Sequence, residues 1–381
     1  MKTSFKLAAL TLALSAAFST QAAEISTKGG FKVKSDDGRY TFAVGGRIQM
    51  DGTAFNSDDI DLNNGTEMRR ARITLKANIE EWEYKLDYDY ISSESVKDAF
   101  IAYNGFKNTI IQIGNQRQAF GMEANTSSND VSFIERSLIT DPFDQGRGFG
   151  IAAKQWGDNW SLNYGVYGQD VNAANGKDEE LSFNGRFAYA PIKEKDRMVS
   201  FGFSALQTEL EDGGSVRLRA RPESHQANTR IVDSSSIAAD SYTMFGLESV
   251  MQFGSLTLLG EYIKEDVDSV DGSDPSFDGY FVSASYLLDG GMRNYTTKGG
   301  KFKGYKPGAN GAWELTARIS SLDLNDADAN VFGGKVDSIT LGANYYINSN
   351  MLAKFNVVSA NGDEFAKYDS TSVGARLQVV W

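Results

Sequence analysis

Residues 81–90 read EWEYKLDYDY, and the two faces of this segment differ: Trp82, Tyr84, Leu86, Tyr88 and Tyr90 fill the even positions, Glu81, Glu83, Lys85, Asp87 and Asp89 the odd ones. A period of two belongs to an extended strand, so the segment has one apolar and one charged face. Residues 70–79, RARITLKANI, repeat the pattern with Ala71, Ile73, Leu75, Ala77 and Ile79 against Arg70, Arg72, Thr74, Lys76 and Asn78. In residues 40–51, YTFAVGGRIQMD, the apolar set is Tyr40, Phe42, Val44, Ile48 and Met50, opposite Thr41, Arg47, Gln49 and Asp51. The alternation continues to the end, for example through Val199, Phe201, Phe203 and Ala205 and through Ile339, Leu341, Ala343, Tyr345 and Ile347.

A soluble sheet can also alternate, so the connections decide. Short turns such as 347–351 trade places with longer acidic stretches such as residues 266–279, DVDSVDGSDPSFDG. Short turns on one rim and long loops on the other describe a transmembrane antiparallel β-barrel of the bacterial outer membrane. Tyr40, Tyr90, Tyr103, Trp160 and Tyr189 stand at segment ends, as interfacial rings do. The final residues 373–381, VGARLQVVW, place Val373, Ala375, Leu377, Val379 and Trp381 on one face. The segments number about sixteen, or about seventeen if the stretch around Arg217 crosses the wall; bacterial barrels favour even counts, and sixteen strands enclose a water-filled bore.

Lys2 and Lys6 precede an apolar run and the small residues Ala22 and Ala23, the pattern of a secretory signal peptide over residues 1–22. Its two lysines take the formal charge from −12 to −14, and residues 23–381 are expected to form one domain. The chain has no cysteine and one histidine, His225, so no thiolate chemistry or disulfide is available and no metal site or cofactor is expected. His225 follows Ser224, where alternation points the two side chains apart, which argues against a hydrolase. The basic residues form no patch suited to nucleic acid.

Two segments break the rhythm. Residues 115–149 form a long connection carrying Phe120, Met122, Phe133, Ile134, Leu138 and Phe143, too apolar for disorder, and are expected to fold into the barrel as a constriction loop. Residues 215–230, SVRLRARPESHQANTR, put Arg217, Arg219 and Arg221 at every second position, hence on one face of an extended segment.

The chain resembles the phosphate-selective porin O and P family through, in order, GGRIQMD, RRARITL, WEYKLDYDY, DAFIAY, FGMEANTSSNDVSFIERS, RLRARPESHQANTR, KFKGYKPGANGAWEL and LGANYYIN. The resemblance implies a homotrimer of 16-stranded barrels in outer-membrane lipid of a Gram-negative bacterium, passing inorganic anions such as phosphate. It implies an arginine ladder at Arg217, Arg219 and Arg221. It also implies a constriction with Arg47, Arg69 and Arg70 on the wall, Ser127 and Ser128 in the loop, an acid at Asp98 and a lysine at Lys306. Strand parity independently places Arg47 and Arg70 on the wet face. The chain departs from the family at Ala124, Asn129 and Thr296, where lysines are expected, and Asp130 adds an acid beside the serines. Glu81, Glu83, Asp87 and Asp89 are expected to pair with Arg70, Arg72 and Lys76 on the adjacent strand. If they faced an open lumen instead, the same barrel would be a general or cation-preferring porin.

Overall fold

The computed structural model describes residues 23–27, 30–57, 60–173, 180–366 and 368–381. The segment expected to be the signal peptide therefore lies outside the described residues. Two short strands, β1 (Ala23–Ser26) and β2 (Phe31–Ser35), form a hairpin whose second arm pairs with the start of β3 (Tyr40–Asn56). From β3 the chain runs through β4 (Gly65–Ile79), β5 (Trp82–Asp89), β6 (Val96–Phe106), β7 (Thr109–Arg117), β8 (Arg147–Trp156), β9 (Trp160–Tyr167), β10 (Leu181–Lys193) and β11 (Arg197–Glu209). Three two-residue strands follow, β12 (Ser215–Val216), β13 (Arg219–Ala220) and β14 (Val232–Asp233). The wall resumes with β15 (Ile237–Phe253), β16 (Leu256–Ser269) and β17 (Ser276–Leu287). After a small hairpin of β18 (Asn294–Thr296) and β19 (Lys301–Lys303) come β20 (Ala312–Asp326), β21 (Val331–Tyr346), β22 (Met351–Gly362) and β23 (Asp369–Val380).

Each wall strand pairs antiparallel with the next, and β23 pairs back onto β3, which closes a 16-stranded barrel. Even parity holds because β12, β13 and β14 belong to the connection between β11 and β15, so the arginine stretch is not a stave. Closure extends to the terminus: Gly46 N–H donates to the Trp381 carbonyl at 2.9 Å, and Trp381 N–H to Gly46 O at 3.1 Å. A Cβ on Gly46 would lie 2.5 Å from the Trp381 ring, so glycine admits the indole there.

The distribution of polarity is the reverse of a soluble protein's. On β10, Phe183, Phe187 and Tyr189 are exposed while Ser182, Asn184 and Arg186 are buried. Leu247, Leu341 and Val373 likewise face outward while Glu314, Lys354 and Arg376 are almost wholly enclosed. An exposed apolar band around a polar interior is stable only against lipid.

Two connections differ from expectation. Residues 266–279 are mostly strand, the ends of β16 and β17 joined by a short turn. The rim of short turns carries a long segment, residues 288–311, between β17 and β20. It holds the β18–β19 hairpin and has no period because it turns back into the barrel instead of crossing the wall.

Candidate functional site: a cation-lined lumen

The interior is divided. Residues 118–146 fold inward from the long-loop rim, including two single-turn helices, α1 (Met122–Asn125) and α2 (Thr140–Phe143). Phe120, Leu138, Ile139 and Phe143 pack with Val216, Leu218, Ile231 and Val232 of the β11–β15 connection. Both sets lie against Met244, Ile263, Phe277, Phe281 and Leu322 of the wall. On this side Met244, Ile263, Phe277, Phe281 and Leu322 give the inward wall an apolar patch that the two connections cover, so this part of the bore is filled. What stays open is a cavity of about 870 Å³ bounded by β3 to β10, the inward loop and the β18–β19 hairpin.

Sixteen Arg or Lys side chains line this cavity against nine Asp or Glu, in a chain with net charge −12. Many other cations do not face it but hold the loop. Lys354 donates to the carbonyls of Val131 (2.6 Å) and Phe133 (3.1 Å), Arg376 to Ile134 O, Arg318 to Glu135 O at 3.3 Å, and Arg293 to Asp130 O. A loop buried inside a barrel has no strand partners for its carbonyls, and these donors, three on the wall and Arg293 on the β17–β20 connection, satisfy them. Inward parity was readable for Arg318, Lys354 and Arg376 on their strands; that their partner is a distant loop was not.

The residues proposed from sequence fall into three groups. Arg47, on β3, donates to Ser128 Oγ at 2.9 Å and Ser127 Oγ at 3.5 Å, so wall arginine and loop serines meet at the cavity. Arg69 and Arg70 both project inward because the β3–β4 register shifts there: Gln49 pairs with Arg70 and Met50 with Met68, leaving Arg69 as the extra residue of a β-bulge. Arg69 binds Glu135 at 2.9 and 3.1 Å, while Arg70 donates to Gln49 Oε1 at 2.7 Å. Burial works to raise the Glu135 pKa, but Arg69, Arg376 and Arg70 outweigh it and hold this carboxyl well below its usual range. Asp98 is bridged by Arg147 at 2.7 Å and by Lys85. Asp130 is the contrary case, since burial pushes its pKa up despite Arg293 and Arg47 nearby.

The ladder residues separate. Exposed Arg217 and Arg219 alternate with buried Val216, Leu218 and Ala220, so they share a face. Arg217 Nε pairs with Asp233 at 2.8 Å, and Arg219 lies opposite Asp233 across the β13–β14 pair. Arg221 alone of the three lines the cavity, its Nε donating to Ala227 O at 2.9 Å. Lys306 lies elsewhere, exposed in a separate recess at the short-turn rim beside Lys193 and Tyr305.

The acidic wall strand behaves differently from its expected pairing. Asp89 accepts from Arg72 Nε at 2.7 Å and Asp87 lies 3.8 Å from Arg72, but Lys76 stands directly opposite Lys85. Glu83 faces Asn78, and Glu81 falls in the turn before β5. Arg47 and Arg72 are also directly opposite on β3 and β4. Sequence reading also missed Lys154, which donates to Gln112 Oε1 at 3.0 Å, and the hairpin cations Lys298, Lys301 and Lys303. The hairpin cations sit in a stretch rich in glycine and threonine that gives no periodic signal.

Comparison with known proteins agrees with this architecture. Porin O of Pseudomonas aeruginosa is 28% identical, the alignment covering 99% of this chain and 98% of that protein. Among solved structures, an anion-selective porin from Comamonas acidovorans superposes with a TM-score of 0.58 at 12% identity over 90% of this chain and all of that one. A loop-deletion form of OmpT, an outer-membrane protein of Vibrio cholerae, gives 0.60 at 11% identity, over 90% of this chain and 100% of that one. The family described as phosphate-selective porin O and P matches residues 42–381, the whole closed barrel but for two residues of β3, and the chain is an outer-membrane porin belonging to that family.

Proposed function

We propose that this channel prefers anions and that oxyanions such as phosphate bind at its constriction. The observation that carries the reading is the pair of like-charge oppositions at the lumen, Arg47 against Arg72 and Lys76 against Lys85. Like charges directly across a β-ladder destabilise it, by about the few tenths to 1 kcal/mol that opposite charges would contribute. A permeating anion between them offsets that cost. Among the described residues Lys76 has no salt bridge and Arg47 has only the two serine hydroxyls within hydrogen-bond reach, so both can meet a solute.

Guanidinium and hydroxyl donors converging at Arg47, Ser127 and Ser128 suit an oxyanion better than chloride, because several oxygens can accept at once. The lysines absent at Ala124, Asn129 and Thr296 are compensated by Lys298, Lys301 and Lys303 on the hairpin that also carries Thr296. Two unit charges 4 Å apart interact by about 4 kcal/mol at an effective dielectric near 20, so these few cations dominate over acidic loops screened beyond about 8 Å of salt solution. Homotrimeric assembly and export by a cleaved signal peptide complete the proposal, on the family relationship and the N-terminal sequence respectively.

The test is the reversal potential of the detergent-purified protein in a planar bilayer under a KCl gradient, followed by phosphate added on one side. Anion-selective reversal with phosphate block of the chloride current is the expected result. A cation-selective or neutral reversal would overturn the proposal and make the protein a general diffusion porin.

A further inference from the structure

The lysines of the β18–β19 hairpin matter to an anion only while the hairpin stays in the bore. The segment that carries it is joined to the wall at its base, where Gln252 donates to Arg293 O at 3.0 Å, Arg293 pairs with Glu314 at 3.3 Å, and the Tyr295 and Ser200 hydroxyls meet at 2.9 Å. The tie at the hairpin turn itself is a buried ion pair. Arg186, on β10 and 2% exposed, sends Nε to Glu248 Oε2 of β15 at 2.9 Å and Nη2 to Glu248 Oε1. The same guanidinium donates Nη1 to Gly299 O at 3.1 Å and Nη2 to Gly300 O, the two carbonyls at the hairpin turn. Glu248 thus fixes the guanidinium plane, and the guanidinium presents its other edge to the turn.

The neighbouring residues are shaped for this contact. Strand β11 lies between Arg186 and Glu248, and its inward residue there is Gly202, where a Cβ would come within 2.2 Å of the Glu248 carboxylate. Gly300 has φ +55 and sits so close to β10 that a Cβ would lie 2.8 Å from Ala188 Cβ and 3.1 Å from Arg186 Nη1. Beyond the turn, Lys301 Nζ reaches the Asn125 carbonyl of the inward loop at 2.9 Å, and Lys298 lies over the Trp156 ring at 4.1 Å. The charge of Arg186 is cancelled by Glu248, so the pair adds little to the field along the cavity. Its contribution is geometric.

We propose that Arg186 and Glu248 are positioning residues for selectivity: they clamp the Gly299–Gly300 turn and hold Lys298, Lys301 and Lys303 in the lumen. The selectivity consequence rests on the anion reading above; the clamp itself does not. The chain's lack of cysteine permits a direct test. A Lys298→Cys reporter is labelled with a small water-soluble thiol reagent in three backgrounds: unaltered, Arg186→Met/Glu248→Gln, and Gly300→Ala. Both altered backgrounds conserve net charge and every lumen lysine but the reporter. In cysteine-free channels carrying the same changes, conductance and the anion-to-cation permeability ratio are then measured.

The expected result is an altered labelling rate in both backgrounds, by about tenfold, the population change that follows loss of ~1.4 kcal/mol of charge-assisted anchoring. The permeability ratio should fall toward that of a Lys298→Met/Lys301→Met/Lys303→Met channel. Labelling and conductance unchanged in both backgrounds would overturn the clamp. Altered labelling with an unchanged permeability ratio would support the clamp while refuting the role of the hairpin lysines in anion preference. Gly300→Ala lies outside the wall, so it gives the answer even if the double variant does not assemble a heat-modifiable barrel.

Discussion

Lys76 and Lys85 face each other directly across β4 and β5 inside the lumen, and of the two only Lys85 has a carboxylate partner, Asp98, among the described residues. Lys76→Glu turns this opposition into an ion pair and removes two units of positive charge from the cavity wall. The expected outcome is a lower anion-to-cation permeability ratio with barrel stability unchanged or raised by up to about 1 kcal/mol. Reversal potentials and the temperature of the heat-modified gel shift measure the two quantities. A ratio unaffected by Lys76→Glu would show that ions pass elsewhere.

Anion preference should weaken from pH 6 to pH 8. Burial, reinforced by Lys154, Arg186 and Lys85, pulls the Lys301 ammonium down to about 7. A lysine is charged below its pKa and neutral above it, so the positive charge on the hairpin falls as pH rises through that value. Lys301→Met should give a channel whose selectivity is already reduced at pH 6 and flat to pH 8. A reversal potential with the same pH dependence in both channels would assign the titration to another group.

The wall was legible because lipid on one side and water on the other demand different residues at alternate positions. The dyad at residues 81–90 and the parity of Arg47 and Arg70 follow from that contrast alone. Arg69 was not readable by parity, since a bulge is a property of two strands in register and β4 by itself does not reveal that Gln49 pairs with Arg70 and Met50 with Met68. The β18–β19 hairpin was missed for a related reason: chain folded into the bore has no lipid face and so no period. The roles of Arg318, Lys354 and Arg376 depend on contacts with a loop far along the chain, which composition cannot express.

The three ladder arginines should not contribute equally. Arg217 is neutralised by Asp233, and Arg219 lies opposite the same carboxylate, whereas Arg221 borders the cavity and its side chain contacts a carbonyl. Changing all three to Gln should lower anion permeability without unfolding the barrel, and Arg221→Gln alone should account for most of the loss. Single-channel currents at low salt, where screening is weakest, give the comparison. Equal effects from Arg217→Gln and Arg221→Gln would mean that long-range field, not position at the cavity, governs entry.

The inward loop is held by charge as well as by its apolar core, and Arg376 is the place to separate the two. Its side chain is fully enclosed, with Nε and Nη2 each 2.6 Å from an Asp51 oxygen, Nη2 2.6 Å from Glu135 and Nη1 on the Ile134 carbonyl. Arg376→Met leaves Asp51 without this partner, deprives Glu135 of one of its cations and strips a buried carbonyl of its donor. Removing one member of a buried ion cluster costs about 3–5 kcal/mol. Part of that cost falls on the wall, where Arg376 and Asp51 stand directly opposite on β23 and β3, and part on the loop's attachment through Glu135 and the Ile134 carbonyl, while the backbone ladders on both sides of β23 remain. The expected result is a folded barrel with larger, noisier single-channel conductance. The folded-state pKa of Glu135 is depressed, so its contribution is complete above the ordinary glutamate range and disappears only as pH falls through the lowered value. Losing Arg376 brings that value back up, and the variant's conductance should therefore rise on acidification at a higher pH than the parent's. If conductance and noise match the parent's at every pH, the core around Phe120, Leu138 and Phe143 suffices to seat the loop.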